Sequence, residues 1–322
     1  MIIVKPTCEL WAQGQDAAAH VARCARVCYL SDKTTDNEKM VESLEKKGHL
    51  SMFRHESYYY HIPPKSLSKF SHSLLRSVIT SAYCSYFAVR TKSGKPWHVF
   101  ISTNGQFVRE HPSVASMLSY FQVSQAAFVQ AANDMPKRYR LSILMLLRHT
   151  VCLTTQISTS RELNRTSPNN IAEMSTRYVN FGKRGKGITI CEPALWETWS
   201  WWQRARMKLA WKMSEWVYNS LTRHSMADEN FNKGKCLAPQ HARGVLPLDT
   251  ATKVVYTYNG WEWKHIIDLR YYGTTGKPHP NAQKAIGMVY EEITYAYPEL
   301  KEKFQSKEDF EDTPSEKPIM GM

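Results

Sequence analysis

Two spacings of apolar residues run through the chain, one near 3.6 residues and one of two residues, and together they predict helices and strands in alternation. The helical spacing covers residues 15–30, 36–47, 66–85, 137–166, 195–224, 260–270 and 281–296. Short runs of aromatic and β-branched residues predict strands at 57–62, 97–102 and 252–258. This mixture predicts the α/β (α+β) fold class, with a mixed sheet and long flanking helices.

Two of the predicted helices have unusual sequences. The helix at 137–166 contains the apolar stretch LSILMLL followed by the polar run TTQISTSRELNRTS, and it is predicted to end at Pro168. The helix at 195–224 carries five tryptophans, Trp196, Trp199, Trp202, Trp211 and Trp216. Their helical spacing suits packing, so we interpret this stripe as core or subunit contact rather than as a base-stacking surface.

Composition indicates a folded protein with a positive charge. Hydrophobic residues make up 43% of the chain, which is enough to bury a core, and the formal net charge is +13. Such a charge attracts anionic ligands into clefts. The densest basic run, KRGK at 183–186, is short and lies between glycines, so we interpret it as a solvated loop. The charge therefore favours a nucleotide phosphate over nucleic acid as the partner.

Cysteine usage indicates a reduced compartment. The seven cysteines are irregularly spaced and contain no CxxC pair, and the histidines form no HExxH motif, so neither a disulfide framework nor a metal site is predicted. The N-terminal MIIVKPTCEL lacks a signal-peptide pattern, and no stretch reaches about 18 uninterrupted apolar residues. We therefore expect a cytoplasmic protein without a membrane segment.

The segment most informative about chemistry is 160–181, SRELNRTSPNNIAEMSTRYVNF. Glu162 and Arg165 lie three residues apart and share a helix face, whereas Ser175 and Arg177 come from the loop that follows. Guanidinium groups match phosphate oxygens in bidentate geometry, and a serine with nearby backbone amides completes an oxyanion nest. The residues alone allow either a phosphate site or ordinary surface ion pairs.

This segment resembles the signature of the flavin-dependent thymidylate synthases, which reads Arg, His, Arg, seven arbitrary residues and Ser. Arg165 takes the first place, Thr166 and Ser167 take the next two, and Ser175 falls at the required distance. The flanking positions are also similar to the family, namely Glu162, Leu163, Glu173, Arg177 and Tyr178.

Further segments resemble the family in the same order along the chain. They are RVCY at 26–29, GHLSMFRH at 48–55, QHARGVLPL at 240–248, NGWEWKHIIDLR at 259–270 and NAQ at 281–283. Arg54 stands where the family has Glu in the second of these segments. Arg148 and His149 spell part of the signature without a downstream serine at the right spacing, so we interpret that pair as a coincidence.

The resemblance implies a concrete activity. In such enzymes a homotetramer binds FAD and dUMP at subunit interfaces, methylenetetrahydrofolate supplies one carbon, and NADPH is the reductant. It implies reductive methylation of dUMP to dTMP by a single domain of residues 1–300 with an insertion at about 64–150. The charged, proline-containing residues 301–322 are predicted to be a mobile tail.

The resemblance also implies residue roles. Arg270 would polarise the pyrimidine ring, because a fixed cation stabilises the charge that develops there, and Ser175 would be the second catalytic residue. The residues implied to hold the nucleotide, mainly through its phosphate, are Glu162, Arg165, Ser175, Thr176, Arg177, Arg243 and Arg270. Those implied to line the flavin are His55, Arg165, Thr166, Ser167, Glu173, Asn259, Trp261 and His265.

Three flavin positions depart from the family pattern. Thr166 and Ser167 stand where the family has His and Arg, and Trp261 stands where it has Arg. Losing cations removes charge-assisted hydrogen bonds to an anionic cofactor, each worth about 1.5–3 kcal/mol. Trp261 either stacks on a cofactor ring or is a packed aromatic.

These departures leave two alternatives open. One is an enzyme of the same fold that acts on another pyrimidine nucleotide such as dCMP, as a methylase or hydroxymethylase with altered flavin use. The other is an inactive nucleotide- or nucleic-acid-binding homologue. The retained Ser175, Arg177, Arg243 and Arg270 favour an active enzyme.

Overall fold

The computed structural model describes residues 1–14, 16–31, 36–69, 72–91, 93–94, 96–166, 170–181, 187–222 and 237–305. The strands within these ranges are β1 Ile2–Val4, β2 Thr7–Trp11, β3 Tyr58–Ile62, β4 Ser85–Arg90, β5 Pro96–Thr103, β6 Gln122–Val123, β7 Arg148–Gln156, β8 Ile171–Glu173, β9 Thr189–Cys191 and β10 Ala251–Asn259.

The α-helices in the same ranges are α1 Ala17–Tyr29, α2 Asn37–Lys46, α3 His72–Thr80, α4 Gly105–Glu110, α5 Pro112–Ser119, α6 Gln125–Asn133, α7 Lys137–Leu144, α8 Ile157–Asn164, α9 Trp201–Thr222, α10 Pro239–Ala242, α11 Gly260–Ile267, α12 Pro280–Ala296 and α13 Leu300–Gln305. Short 3₁₀ segments occupy Leu50–His55, Pro64–Lys69, Trp196–Thr198 and Arg243–Val245, and one π-helical turn occupies Asp268–Tyr272.

The strands form a central sheet and a second sheet of four strands each. The central sheet has the order β2-β7-β10-β8 and the second has the order β4-β5-β3-β6, with antiparallel neighbours in both. Strands β1 and β9 pair in parallel beside them. Helices and sheets therefore combine in one α+β architecture, which confirms the predicted fold class.

The predicted helix at 137–166 is wrong in its middle, because the chain there forms α7, then the strand β7, then α8. A short apolar run fits a buried strand as well as a buried helix, so periodicity cannot separate the two. The β-branched residues Thr150, Val151 and Thr154 favour the strand. β7 lies between β2 and β10, and nearly all of its side chains are buried.

Most other predicted elements are confirmed with shifted ends. The strands at 57–62, 97–102 and 252–258 and the helices at 15–30, 36–47 and 281–296 correspond to β3, β5, β10, α1, α2 and α12. The helix predicted at 66–85 is shorter, since α3 ends at Thr80 and β4 begins at Ser85. The helix at 195–224 begins only at Trp201, and the helix at 260–270 changes to a π turn after Ile267.

The tryptophan stripe divides between the core and the surface. Trp196 and Trp211 are buried, and Trp199 packs partly against the same cluster. Trp202 and Trp216 on α9 are each more than half exposed. Packing in the core is thus confirmed for the first group, whereas the exposed pair leaves an apolar helix face toward solvent in the single chain.

The largest core cluster joins the two sheets. It contains Tyr59 and Phe100 from the second sheet, and Val151 and Val254 from the central sheet. The region 64–150, which we predict to be an insertion, is thereby packed against the rest of the chain. Helix α13 extends to Gln305 and Phe304 is fully buried in this cluster, so helical structure continues past the predicted start of the tail at residue 301. Residues 306–322 lie outside the described ranges.

Helices cover both faces of the central sheet. Helix α1 packs on one face, where Cys24 and Val27 meet Cys152 and Val255. Helix α12 packs on the other face, against β2 and β7. None of the helices in the described part of the chain is long and apolar enough to cross a membrane.

A close backbone approach fixes the turn from β10 into α11. The N–H of Gly260 donates to the carbonyl oxygens of Met145 at 2.8 Å and Leu147 at 3.1 Å. A Cβ atom at Gly260 would lie 2.9 Å from both the Cα and the carbonyl oxygen of Met145. Only glycine allows these two segments to lie this close.

Gly260→Ala is therefore expected to lower the free energy of unfolding by about 1–3 kcal/mol, because the added methyl group meets backbone that cannot rotate away. Chemical denaturation of the variant measures the change. Gly244→Ala is the matched control, since a Cβ there meets nothing within 4 Å, and its effect should stay within about 0.5 kcal/mol. Equal effects of the two substitutions would contradict the close-approach argument.

Candidate active site

The loop after β8 brings together several of the predicted nucleotide residues. The N–H of Ser175 donates to the carbonyl oxygen of Cys28 at 2.8 Å, and the N–H of Arg177 donates to Ser175 Oγ at 3.1 Å. Arg243 approaches from beyond α10 and donates to Thr176 Oγ1 at 3.4 Å. The guanidinium groups of Arg177 and Arg243 are exposed, and no carboxylate pairs with either among the described residues.

This arrangement has the chemistry of an anion site. Two guanidinium groups without carboxylate partners in the described residues offer bidentate donors, and the Ser175 and Thr176 hydroxyl groups lie on the same loop. The Arg177 side chain also lies 5.3 Å from the Tyr178 ring, which limits its freedom. We name Ser175, Thr176, Arg177 and Arg243 the anion loop.

Glu173, at the end of β8, is held by hydrogen bonds from its own chain. Its carboxylate accepts from Ser160 Oγ at 2.5 Å and from Asn164 Nδ2 and Thr252 Oγ1, each at 3.2 Å. These donors come from α8 and β10. Glu173 therefore joins three elements of the fold, whatever its contact with a cofactor.

Arg270 lies on the side of α8 that faces away from β8. Its Nε is 3.3 Å from Glu162 Oε1, which joins the π turn to α8. Ser160 and Asn164 face Glu173 from α8, and Glu162 projects from roughly the opposite side of that helix, because residues two apart differ by more than half a turn. Within one chain, α8 thus separates Arg270 from the β8 side.

The first signature positions lie at the end of α8. This helix ends at Asn164, earlier than the predicted end at Pro168, which itself lies outside the described residues. Arg165 is exposed, and the Thr166 hydroxyl donates to the carbonyl oxygen of Leu163 at 2.6 Å. Ser167, like the KRGK run at 183–186, lies outside the described residues.

The predicted flavin residues of α11 are partly engaged in the fold. Asn259 caps the helix in a reciprocal capping box with Glu262, and its Nδ2 donates to Ser85 Oγ at 2.8 Å. Trp261 packs partly against the main core, which supports the packed-aromatic interpretation. Burial lowers the pKa of His265, and the Asp268 carboxylate acts in the opposite direction.

His55 is fully buried on the α1 face of the central sheet, where its Nδ1 meets Thr257 Oγ1 at 2.8 Å. Glu173 pairs with Val254 in the β-ladder and faces the opposite side of the same sheet. The residues implied to line the flavin are therefore not gathered in one place within a single chain.

Arg148 has a structural role that the sequence did not reveal. Its guanidinium is buried and donates to Ser57 Oγ at 3.0 Å and to the carbonyl oxygens of Arg54 at 2.7 Å and Thr257 at 3.4 Å. Its N–H donates to the Tyr59 hydroxyl at 3.0 Å. The signature spacing does not point to this role; the signal in the sequence is a charged residue directly after the apolar run LSILMLL.

Two cavities lie away from the predicted site residues. One, of about 590 Å³, is lined by residues that include Trp199, Trp211, Asp249 and His279. The other, of about 680 Å³, lies beside His61 and Tyr120. In the described part of the chain, no group of three or more His, Cys, Asp or Glu side chains is placed to hold a metal ion.

Residues 115–300 match the family described as thymidylate synthase complementing protein. The chain belongs to this family. Membership confirms the resemblance to the flavin-dependent thymidylate synthases and identifies a methyltransferase-type enzyme for C5 of a pyrimidine nucleotide. It also implies the use of FAD. The motifs at 26–29 and 48–55, which include His55, precede the matched region.

Solved structures with similarity to the chain include a UMP/dUMP methylase, PolB, from Streptomyces cacaoi, bound with 5-Br dUMP or with 5-Br UMP. Both are 14% identical and cover 94% of this chain and 96% of their own, with TM-scores of 0.42 and 0.43 respectively. A search of curated proteins finds no significant match.

Arg148→Lys is expected to lower the free energy of unfolding by about 2–4 kcal/mol, because an ammonium group cannot reproduce the guanidinium fork and leaves buried carbonyl oxygens without donors. Chemical denaturation measures this loss. Arg76→Lys, on the exposed face of α3, is the control and should change stability by less than about 0.5 kcal/mol. A neutral Arg148→Lys would show that the buried donors are not needed.

Proposed function

We propose that this enzyme catalyses the reductive methylation of dUMP to dTMP, with methylenetetrahydrofolate as the carbon donor, FAD as the cofactor and NADPH as the reductant. Family membership supports the reaction class. The anion loop is the observation that carries the substrate assignment, because its two guanidinium groups lack carboxylate partners in the described residues and suit a nucleotide phosphate.

Arg270 acts on the base in this proposal. Its ion pair with Glu162 restrains the guanidinium, and a restrained cation stabilises negative charge on the pyrimidine ring as C5 attacks the one-carbon unit. Ser175 stays in the anion loop, where its hydroxyl accepts from the Arg177 N–H and orients the loop. Glu162 and Arg165 flank the same nucleotide from α8.

The separation of Arg270 from the anion loop supports a site shared between copies of the chain. We propose a homotetramer in which the anion loop of one protomer faces Arg270 of another. An exposed apolar face on α9, formed by Trp202, Leu209, Met213 and Trp216, supports contact between copies, since each of these side chains is more than half exposed.

Two orphaned buried atoms make the flavin-lining set compatible with FAD. His55 Nε2 and Trp261 Nε1 are buried without hydrogen-bond partners in the described protein, and polar groups of the cofactor are of the kind that each atom needs. Residues that would hold the cofactor are His55, Arg165, Thr166, Ser167, Glu173, Asn259, Trp261 and His265. When bound, FAD supplies the hydride for the methyl group, and the protein orients the reactants.

One observation favours an alternative substrate or product. The Thr166 hydroxyl donates to the carbonyl oxygen of Leu163 at the end of α8, so it does not replace the cation that the family has at this position. A changed cofactor geometry is compatible with methylation or hydroxymethylation of another nucleotide such as dCMP.

The proposal is tested first on protein purified without added cofactor. Its absorption spectrum is expected to show bound flavin, and incubation with dUMP, methylenetetrahydrofolate and NADPH should yield dTMP by mass analysis. Parallel incubation with dCMP distinguishes the alternative. The dUMP assignment would be contradicted by a colourless protein that forms no dTMP after FAD is supplied. It would also be contradicted by a protein that converts only dCMP.

Separate roles for Arg270 and Arg243 can be measured by their alanine variants. Arg270→Ala is expected to lower kcat by about 10²–10³-fold with little change in nucleotide affinity. Arg243→Ala is expected to weaken nucleotide binding by about 10–100-fold, as one charged hydrogen bond is lost.

Arg161→Ala, exposed on α8, is the control for both and should leave kcat and affinity unchanged. Should Arg270→Ala keep full turnover, the electrophilic role assigned to Arg270 is wrong.

A further inference from the structure

A chain of polar side chains crosses the core on the α1 face of the central sheet. His55 Nδ1 lies 2.8 Å from Thr257 Oγ1, which lies 2.9 Å from Thr150 Oγ1. Thr150 Oγ1 in turn lies 3.2 Å from His20 Nε2 and accepts from Gln13 Nε2 at 3.1 Å. Both histidines and both threonines are buried, so the hydrogen bonds between them are shielded from solvent.

The tautomer of His20 determines which atoms donate and which accept in this series of hydrogen bonds. Burial lowers the pKa of His20 to about 4, and a hydrogen bond to the backbone of His55 raises it. A bond to a carbonyl oxygen raises the pKa because the ring nitrogen is the donor. We assign this bond to Nδ1, because Nε2 faces the Thr150 hydroxyl at 3.2 Å, so Nε2 of the neutral ring is the acceptor.

Each hydroxyl has one proton, so one assignment determines the remaining bonds. We assign the Thr150 proton to His20 Nε2 at 3.2 Å, because the other donor near that nitrogen, the Cys24 thiol at 3.9 Å, is weaker and more distant. The contact between the two threonines then needs the proton of Thr257, and Thr257 in turn must accept from the Nδ1–H of His55. This assignment places the proton of His55 on Nδ1.

This tautomer leaves His55 Nε2 with a free lone pair. Burial lowers the pKa of His55 to about 3, so the ring is neutral at physiological pH. Nε2 is buried and has no hydrogen-bond partner in the described protein. Buried acceptors in native proteins nearly always meet a donor, so a ligand or a water must supply an N–H or O–H here.

We propose that His20, Thr150 and Thr257 are positioning residues that hold His55 in this tautomer, and that His55 Nε2 recognises the imide N–H of a ring ligand. The recognition rests on the proposed function, since an N–H between two carbonyls occurs in both the uracil ring of dUMP and the flavin ring of FAD. A cytosine ring has a lone pair on the corresponding nitrogen, which would face the lone pair of Nε2. This series of hydrogen-bonded side chains thereby selects uracil-type over cytosine-type rings.

The tautomer is measured on ligand-free, full-length protein labelled with ¹⁵N-histidine, with His55 assigned from the signals absent in His55→Gln. We expect Nδ1 as the protonated nitrogen and Nε2 as the unprotonated one. In Thr150→Val the hydroxyl of Thr257 loses its acceptor and donates to His55 Nδ1, so the proton should move to Nε2. Thr257→Val removes the acceptor for Nδ1–H and should shift the ring in the same direction.

Thr155→Val is the matched control, because Thr155 is buried on the same strand and its hydroxyl bonds Gln156 instead of this chain. It should leave the His55 signals unchanged. Two results would overturn the positioning role. One is a wild-type protein in which His55 carries its proton on Nε2, and the other is that Thr150→Val and Thr257→Val both keep the wild-type tautomer. This readout does not depend on any ligand or turnover.

Titration with FAD, dUMP or dCMP tests the recognition. Either FAD or dUMP should shift the Nε2 signal, and the one that does so identifies the ring that meets His55; dCMP should not. Thr150→Val should weaken binding of that ligand by about tenfold, as one hydrogen bond is lost.

An equal shift with dCMP, or no shift with any of the three, would overturn the recognition while leaving the tautomer result intact. Formation of dTMP in the product assay independently decides the proposed reaction.

Discussion

Strand β7 pairs with β10 over nine residue pairs, from Gln156 opposite Ala251 to Arg148 opposite Asn259. This ladder positions the candidate site, because α8 follows directly after β7 and α11 follows directly after β10. It also places Thr150 opposite Thr257, which brings their hydroxyl groups into contact. A slip of one residue would turn those hydroxyls to the other face of the sheet and break the polar chain.

The arginine side chains near the candidate site divide into a buried one and exposed ones. Arg148 is enclosed by the backbone carbonyls and hydroxyls that accept its protons, so its charge serves the fold. Arg177 and Arg243 instead keep their guanidinium groups at the surface, beyond β8 and α10. Arg177 and Arg243 are thus available to a ligand, while Arg148, buried at the start of β7, is already bound. A net charge alone cannot distinguish these two uses.

Local patterns predicted most of the helices and strands, because capping residues, glycines and apolar spacing act over a few residues. The grouping of the anion-loop residues was also predictable, since Ser175 and Arg177 are close in sequence and the resemblance supplied Arg243. Strand β7 was mistaken for helix because its burial depends on β2 and β10, which are distant in sequence. The separation of Arg270 from Ser175 was hidden for the same reason, as it depends on which side of α8 Glu162 faces. His20 belongs to none of the sequence motifs, and its proposed role depends on the threonine hydroxyl groups that the fold places beside it.

The polar chain that includes His20 and His55 has a consequence for acid stability. The folded protein keeps both rings neutral, with pKa values of about 4 and about 3, whereas an exposed histidine has a pKa near 6.5. As the pH falls from about 6.5 toward 4, the unfolded chain therefore binds protons that these folded rings do not accept. These two histidines favour folding at neutral pH and oppose it in acid, so the arrangement that keeps the hydrogen-bond direction constant at neutral pH also makes the core sensitive to acid.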